Sequence, residues 1–301
     1  MTGHGISIRQ KGGEHSGNYG HAGRPGEVGG SARSYIPGTG DYDFPKKKVK
    51  AGEIYLTDRK LAAALMHDYK GEGVPWDKTE KFFTLGKTIG TAIMEQSIRD
   101  ITKRSGIDKE IVHNIINNWL TTSSNNDINN LSLQEAASQE FGAPLSEWQK
   151  AKIDEARESF GGIDRITERK VLRAIYDNTQ ELLADHGYKP DDTVTLYRGL
   201  ALDDFDGDAG QIALWKGNAI ESWSISPDVA KFYTRHRVSE SDYKLKGLVV
   251  GIRVPVRNIM SSPATGMGST VSGEYIIFGA LPGQTVKVLY SKDEDWKEED
   301  W

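Results

Sequence analysis

Apolar positions along this chain change period near Pro190, from a helical spacing to a strand spacing. Thr57 can cap a helix that carries Leu61, Leu65 and Tyr69 on one face. Phe82, Leu85, Ile89 and Ile93 recur at three- and four-residue steps, as do Val112, Ile115, Ile116 and Trp119. After the polar loop Thr121 to Asn130, a shorter helix is expected to carry Leu133, Ala137 and Phe141. A longer one carries Leu172, Ile175, Thr179 and Leu182, and Gly187 and Pro190 stop it.

Beyond Pro190 the segments Val194–Tyr197, Leu248–Val256, Tyr275–Phe278 and Thr285–Tyr290 are β-branched or aromatic and predict strands. A helical block followed by a strand block predicts an α+β architecture with the helices flanking one end. The glycine-bearing loop Ser261 to Gly273 is expected to be mobile. The resulting division is a flexible glycine-rich arm over 1–50, a helical region over 51–190, a β-rich core over 191–291 and an acidic tail over 292–301.

Composition narrows the function classes. The first fifty residues are rich in Gly, His and Ser and offer little apolar surface to offset their ordering entropy. Gly20 to Ser31 repeats glycine, but it has neither the preceding strand nor the following helix of a phosphate loop. The basic run Lys46 to Lys50 suits a solvated linker. A net charge of −5 argues against a generic nucleic-acid binder. No run approaches the roughly 18 apolar residues of a membrane span, and Met1 to Gly20 lacks the apolar core of a secretory signal. With no cysteine, there is no disulfide, thiolate metal site or cysteine nucleophile. The seven histidines are scattered, so no metal is expected. The absence of cysteine suits a cytoplasmic setting, with secretion left open.

Three short strings carry candidate chemistry. Arg198 ends a predicted strand and precedes Gly199, whose missing side chain lets a backbone or a ligand approach closely. Its planar fork suits a diphosphate; a surface ion pair is the plainer alternative. Ser222, Ser224 and Ser226 alternate with Trp223 and Ile225, so the serines share one sheet face, either to orient a ligand or as the wet face of an edge strand. Pro227 begins a helix directly afterwards. Glu274 stands between the glycine-bearing loop and the apolar strand Tyr275 to Phe278.

The order Tyr-Arg-Gly, Ser-x-Ser, then Glu before an apolar strand resembles the Arg-Ser-Glu class of mono-ADP-ribosyltransferases, a family of bacterial toxins and bacteriophage-encoded transferases. The resemblance covers roughly Asn114 to Tyr290 and is sharpest at Leu196–Leu200, Glu221–Phe232 and Gly273–Val288. Gly20 to Ser31 also looks like strings of phage head-associated proteins. The family resemblance implies a helical region packed on a split β-sandwich transferase core, with NAD as substrate and no metal. It implies that Arg198 and Gly199 hold the NAD diphosphate and ribose, that Ser224 orients Glu274 with Ser226 nearby, and that Glu274 stabilises the oxocarbenium ion as nicotinamide leaves.

Two positions depart from the family pattern. Ile225 replaces the Thr of Ser-Thr-Ser, and Ser272 stands where a Glu or Gln usually faces the acceptor. A serine cannot act as a general base at neutral pH, so the acceptor stays open. A protein is the expected acceptor, with nucleic acid and water as alternatives. Water would make the chain an NAD glycohydrolase. A non-catalytic phage-associated protein with a transferase-like shell is the reading from another class.

Overall fold

The computed structural model describes residues 7–9, 93–121, 127–157, 164–202, 209–240, 245–268, 273–279 and 283–291. The helices expected at Thr57–Tyr69 and Phe82–Ile89, the strings Gly20–Ser31 and Lys46–Lys50, Ser272 and the tail from Lys292 lie outside the described residues.

Among the described residues, five helices precede the β-rich half: α1 over 93–105, α2 Lys109–Thr121, α3 Ile128–Phe141, α4 Glu147–Ala156 and α5 Arg165–Asp185. Among the described helices, the stripe expected in α2 is buried at Val112, Ile115, Ile116 and Trp119. In α5 Leu172, Ile175 and Thr179 are buried as expected, while Leu183 is buried in place of the half-buried Leu182. Polar caps fix the ends. Asp127 accepts from Asn129 N at 2.8 Å to start α3, and Gly142, at φ 69°, ends it. Ser146 and Gln149 form a reciprocal capping box at α4.

The strands are β1 Ser7–Arg9, β2 Thr193–Leu202, β3 Ile212–Lys216, β4 Glu221–Ser224, β5 Lys246–Pro255, β6 Ile259–Ser261, β7 Glu274–Ile277 and β8 Thr285–Ser291. They form one sheet in the order β1-β3-β8-β5-β2-β4-β7-β6. Every neighbouring pair is antiparallel except β1 with β3. Helix α6, Pro227–Glu240, follows β4 and packs on β2 and β5. The fold is thus α+β.

Alternation along the strands separates two cores. One sheet face contributes Ile276 and Phe278 to a core shared with α2, α3 and α5. The other contributes Leu196, Leu200, Trp223, Val250, Ile252, Tyr275 and Ile277 to a second core.

Three expectations are corrected. Ser7–Arg9, inside the expected arm, pairs with β3 as an edge strand, because Leu214 and its neighbours present an unpaired backbone edge there. The serine strand is not a wet edge: β4 lies between β2 and β7, and Ser224 is buried. Residues 262–268 are packed rather than mobile. Thr265 Oγ1 meets Thr179 Oγ1 at 2.7 Å, Ser262 N donates to it at 2.9 Å, and Ser97 Oγ donates to Ala264 O at 2.8 Å.

A buried ionic cluster ties α3 to α5. Ser132 Oγ donates to Glu168 Oε2 at 2.7 Å, and Arg165 donates to Glu168 at 2.7 Å and to Glu135 at 3.1 Å. Burial pushes the Glu168 carboxyl up, against the pull of Ser132 and Arg165. Glu140 goes the other way: its burial raises it, but hydrogen bonds from Arg173 and Arg169 outweigh that and hold it below the ordinary value.

The signs of the two pH effects are opposite. Between the ordinary glutamate value and the raised one, the native state keeps a proton on Glu168 that the unfolded chain has lost. Glu168 therefore contributes less stability as pH rises through that window. Glu140 contributes stability that is lost as pH falls through its lowered value. Urea unfolding of wild type and Glu168→Gln should show the variant gaining on wild type as pH rises through the Glu168 window. A pH-independent difference would refute the assignment.

Candidate active site

Cross-strand register brings two of the three predicted site residues together. Glu274 is the first residue of β7 and pairs directly with Ser224 of β4, which in turn pairs with Tyr197 of β2. Directly opposed residues on antiparallel strands share a face, with Cβ atoms about 5 Å apart. The row continues through Gly251 of β5 and Lys287 of β8 to Ile212 of β3.

The Ser224 hydroxyl and the backbone at Glu274 are held from behind. Ser224 is 7% exposed, and its Oγ accepts from Ser226 N at 3.0 Å. Gly273, at φ 55°, supplies the turn into β7, and its carbonyl accepts from Ile225 N at 3.3 Å. Gly268 lies so close to β7 that a Cβ on it would come within 2.1 Å of Glu274 O. The packed 262–268 segment therefore acts as a backstop for the backbone at Glu274.

Arg198 is placed differently. Alternation along β2 puts it with Leu196 and Leu200, on the face opposite Tyr197, Ser224 and Glu274. Its Nη1 donates to Ser222 O at 2.8 Å, and its guanidinium lies 6.0 Å from the Trp223 ring centroid. The structure therefore joins Arg198 to the strand that carries Ser224 without bringing the guanidinium onto the Glu274 face. Its side chain keeps 15% exposure.

Two further expectations change meaning. Gly199 admits a backbone, not an open ligand space. A Cβ there would lie 2.0 Å from Ala230 O and 2.5 Å from Thr234 Oγ1 of α6. Ser226 precedes Pro227, and its hydroxyl accepts from Val229 N at 3.5 Å, so it helps start α6. Ser272, expected on the acceptor side, lies outside the described residues.

Sequence reasoning missed Glu221. It is 1% exposed, yet its carboxylate is well supplied with donors. Trp215 Nε1 donates at 2.7 Å, Asn218 N at 3.0 Å and Trp223 Nε1 at 3.4 Å, while Arg198 Nη1 stands 4.0 Å away. Gly217 and Gly279 close the box, since a Cβ on either would lie within 2.4 Å of the Glu221 side chain. The carboxylate thereby locks the Trp215–Trp223 edge-to-face pair and supplies a counter-charge beside Arg198. The only signal available in the sequence was an acidic residue at the head of a strand otherwise made of Ser and Trp.

Among the described residues, no group of three or more His, Asp or Glu side chains is placed to hold a metal ion. No helix among them is long and apolar enough to cross a membrane. No protein-family model, curated protein or solved structure matches the chain.

Proposed function

We propose that the chain is an NAD-dependent mono-ADP-ribosyltransferase, with Glu274 as its catalytic carboxylate. The observation that carries this is the direct pairing of Glu274 with Ser224 across β7 and β4. A hydroxyl and a carboxylate held side by side on rigid strands form the preorganised group that a developing glycosyl cation needs. A second feature supports it. Ten register pairs join β2 to β5 but only Tyr197–Ser224 joins β2 to β4, so the sheet parts beside the proposed site.

In the proposed reaction the bond between ribose C1′ and the nicotinamide nitrogen breaks, and its electron pair leaves with nicotinamide. Glu274 accepts a hydrogen bond from the ribose 2′-hydroxyl and stabilises the oxocarbenium ion. Ser224 orients the carboxylate. An acceptor nucleophile then bonds to C1′ and loses its proton. Arg198, on the opposite face, is held by Ser222 O and faces Glu221, so it anchors the strand that carries Ser224.

The test is incubation of wild-type protein with NAD labelled separately on nicotinamide and on adenylate, in a cell lysate. Transfer predicts free nicotinamide together with adenylate label on a macromolecule. Free ADP-ribose without macromolecular label replaces transfer by hydrolysis at the same site, the outcome that Ser272 in place of Glu or Gln favours. Absence of nicotinamide release in every lysate refutes both and leaves a non-catalytic shell.

A further inference from the structure

Two large apolar side chains are exposed on one face of β3. Ile212 is 69% exposed and Leu214 is 44% exposed, and alternation puts both on the same side of the strand. Scattered single exposures are ordinary, but these two are neighbours on one face. Ile212 pairs directly with Lys287 of β8 and Leu214 with Thr285, so the apolar pair borders a column of polar positions. Gly251 of β5 pairs with Lys287, and Arg253, two residues along β5, is exposed on that same face. No acidic residue lines the face between them, and neither do Arg198, Ser224 and Glu274.

The segment that follows β8 has the complementary chemistry. Lys292 to Trp301 holds six carboxylates against two lysines, a net of −4 that makes up most of the −5 of the whole chain. It repeats one unit, Asp293-Glu294-Asp295-Trp296 and then Glu298-Glu299-Asp300-Trp301, so each indole follows three acids. Reach selects between the two. β8 ends at Ser291, and a chain returning along the sheet travels four residues back to the level of Lys287 and six to Thr285. Those distances are about 13 and 20 Å at about 3.3 Å per residue. Trp296, five residues past Ser291, spans at most about 17 Å and leaves little for the reversal. Trp301, ten residues past it, spans about 33 Å and leaves enough. Helix α6 packs on β2 and β5, whereas β8 and β3 lie beyond β5 towards the edge of the sheet.

We propose that the acidic tail docks on this face of its own chain, with the Trp301 indole on Ile212 and Leu214 and the carboxylates of Glu298 to Asp300 beside Arg253 and Lys287. A guanidinium carries five N–H donors, so the bond from Arg253 Nη2 to Thr193 Oγ1 at 2.9 Å leaves others for a carboxylate. Lys287 acts without direct contact, since unlike charges attract over a screening length of about 8 Å at physiological salt. An indole laid on two branched side chains removes apolar surface of both partners from water. The docked segment thereby neutralises the face and covers its two exposed apolar residues. The inference does not depend on the transferase chemistry, since its residues and those of the Glu274 site are disjoint.

Fluorine NMR of the full chain tests it, with 5-fluorotryptophan at all seven tryptophans and the Trp301 signal assigned by its loss in Trp301→Phe. In wild type that signal is expected away from its position in the free synthetic peptide Lys292–Trp301. Arg253→Glu with Lys287→Glu should return it to the free-peptide position, as should Ile212→Ser with Leu214→Ser. Raising NaCl to about 1 M, where the screening length falls to about 3 Å, should move the wild-type signal in the same direction. The buried Trp215 and Trp223 report the fold of each variant, and the salt series needs no substitution at all. A wild-type signal at the free-peptide position overturns the proposal. So does a displaced signal that ignores both substituted pairs, which would put the tail elsewhere. A displacement that grows with protein concentration also overturns it, by placing the tail on a second copy. Nicotinamide release enters none of these readings, so the transferase stands or falls separately.

Discussion

Glu274→Gln is expected to lower nicotinamide release about 100-fold or more, with NAD binding largely intact. The substitution keeps shape and removes only the charge. In ground-state NAD the positive charge sits on the nicotinamide ring and moves to the ribose as the C1′–N bond breaks, so the lost anion matters most when that charge develops at C1′. The fold should tolerate the change, because the backbone at Glu274 is fixed by its pairing with Ser224 and by the close approach of Gly268. Release rates measured beside calorimetric NAD affinity and a thermal melt separate these effects. An unchanged rate removes Glu274 from the chemistry. A collapsed melt would instead give it a structural role.

The second large effect is expected at Gly199. In Gly199→Ala the new methyl carbon would sit 2.0 Å from Ala230 O, 2.5 Å from Thr234 Oγ1 and 2.9 Å from Thr234 N. Two of these are backbone atoms of α6, so the helix itself must lift from β2. Thr234 Oγ1 donates to both Ala230 O and Leu248 O at 3.0 Å, and a shift of the helix breaks that bridge to β5. Overpacking of this kind costs roughly 1–3 kcal/mol, and more where the backbone cannot yield. The urea midpoint should therefore fall clearly. A variant with wild-type stability but weakened NAD binding would show that the glycine serves the ligand and not the helix.

Much of the architecture was legible because burial and period agree. The α2 and α5 stripes, the β-branched run of β5 and the apolar β7 each announce their element. So does the serine alternation: Trp223 enters the core while Ser224 takes the opposite face. Segments with mixed signals were not legible. In β3, Ile212 to Trp215 is apolar throughout, so no alternation marks which residues face inward; Ile212 and Leu214 are exposed while Ala213 and Trp215 are buried. Helix α4 buries only Gln149 and Ile153, and its best clue is the Ser146–Gln149 box. The 262–268 segment has the glycines of a loose loop, but Thr265 Oγ1 bonds to Thr179 of α5 and Ala264 O accepts from Ser97 of α1, which settles it in the core.

The candidate site divides along the same line. Strand order brings Ser224 beside Glu274, and the linear sequence already hinted at both residues. The face occupied by Arg198 depends on a one-residue offset between Arg198 and the Tyr197–Ser224 bridge, which no pattern within β2 reveals. Glu221 is hidden for a related reason. Its burial is decided by Trp215, Gly217, Asn218 and Gly279, the last from the end of a different strand.

That carboxylate also constrains how such a chain can drift. Replacing Glu221 alone leaves two indole N–H groups and a main-chain amide facing each other across a space sized for oxygen atoms. Enlarging either neighbouring glycine first has nowhere to go while the acid remains. Viable descendants must therefore exchange these positions as one set or retain them all, and a lineage that lost the acid would be recognisable by bulkier residues at Gly217 and Gly279.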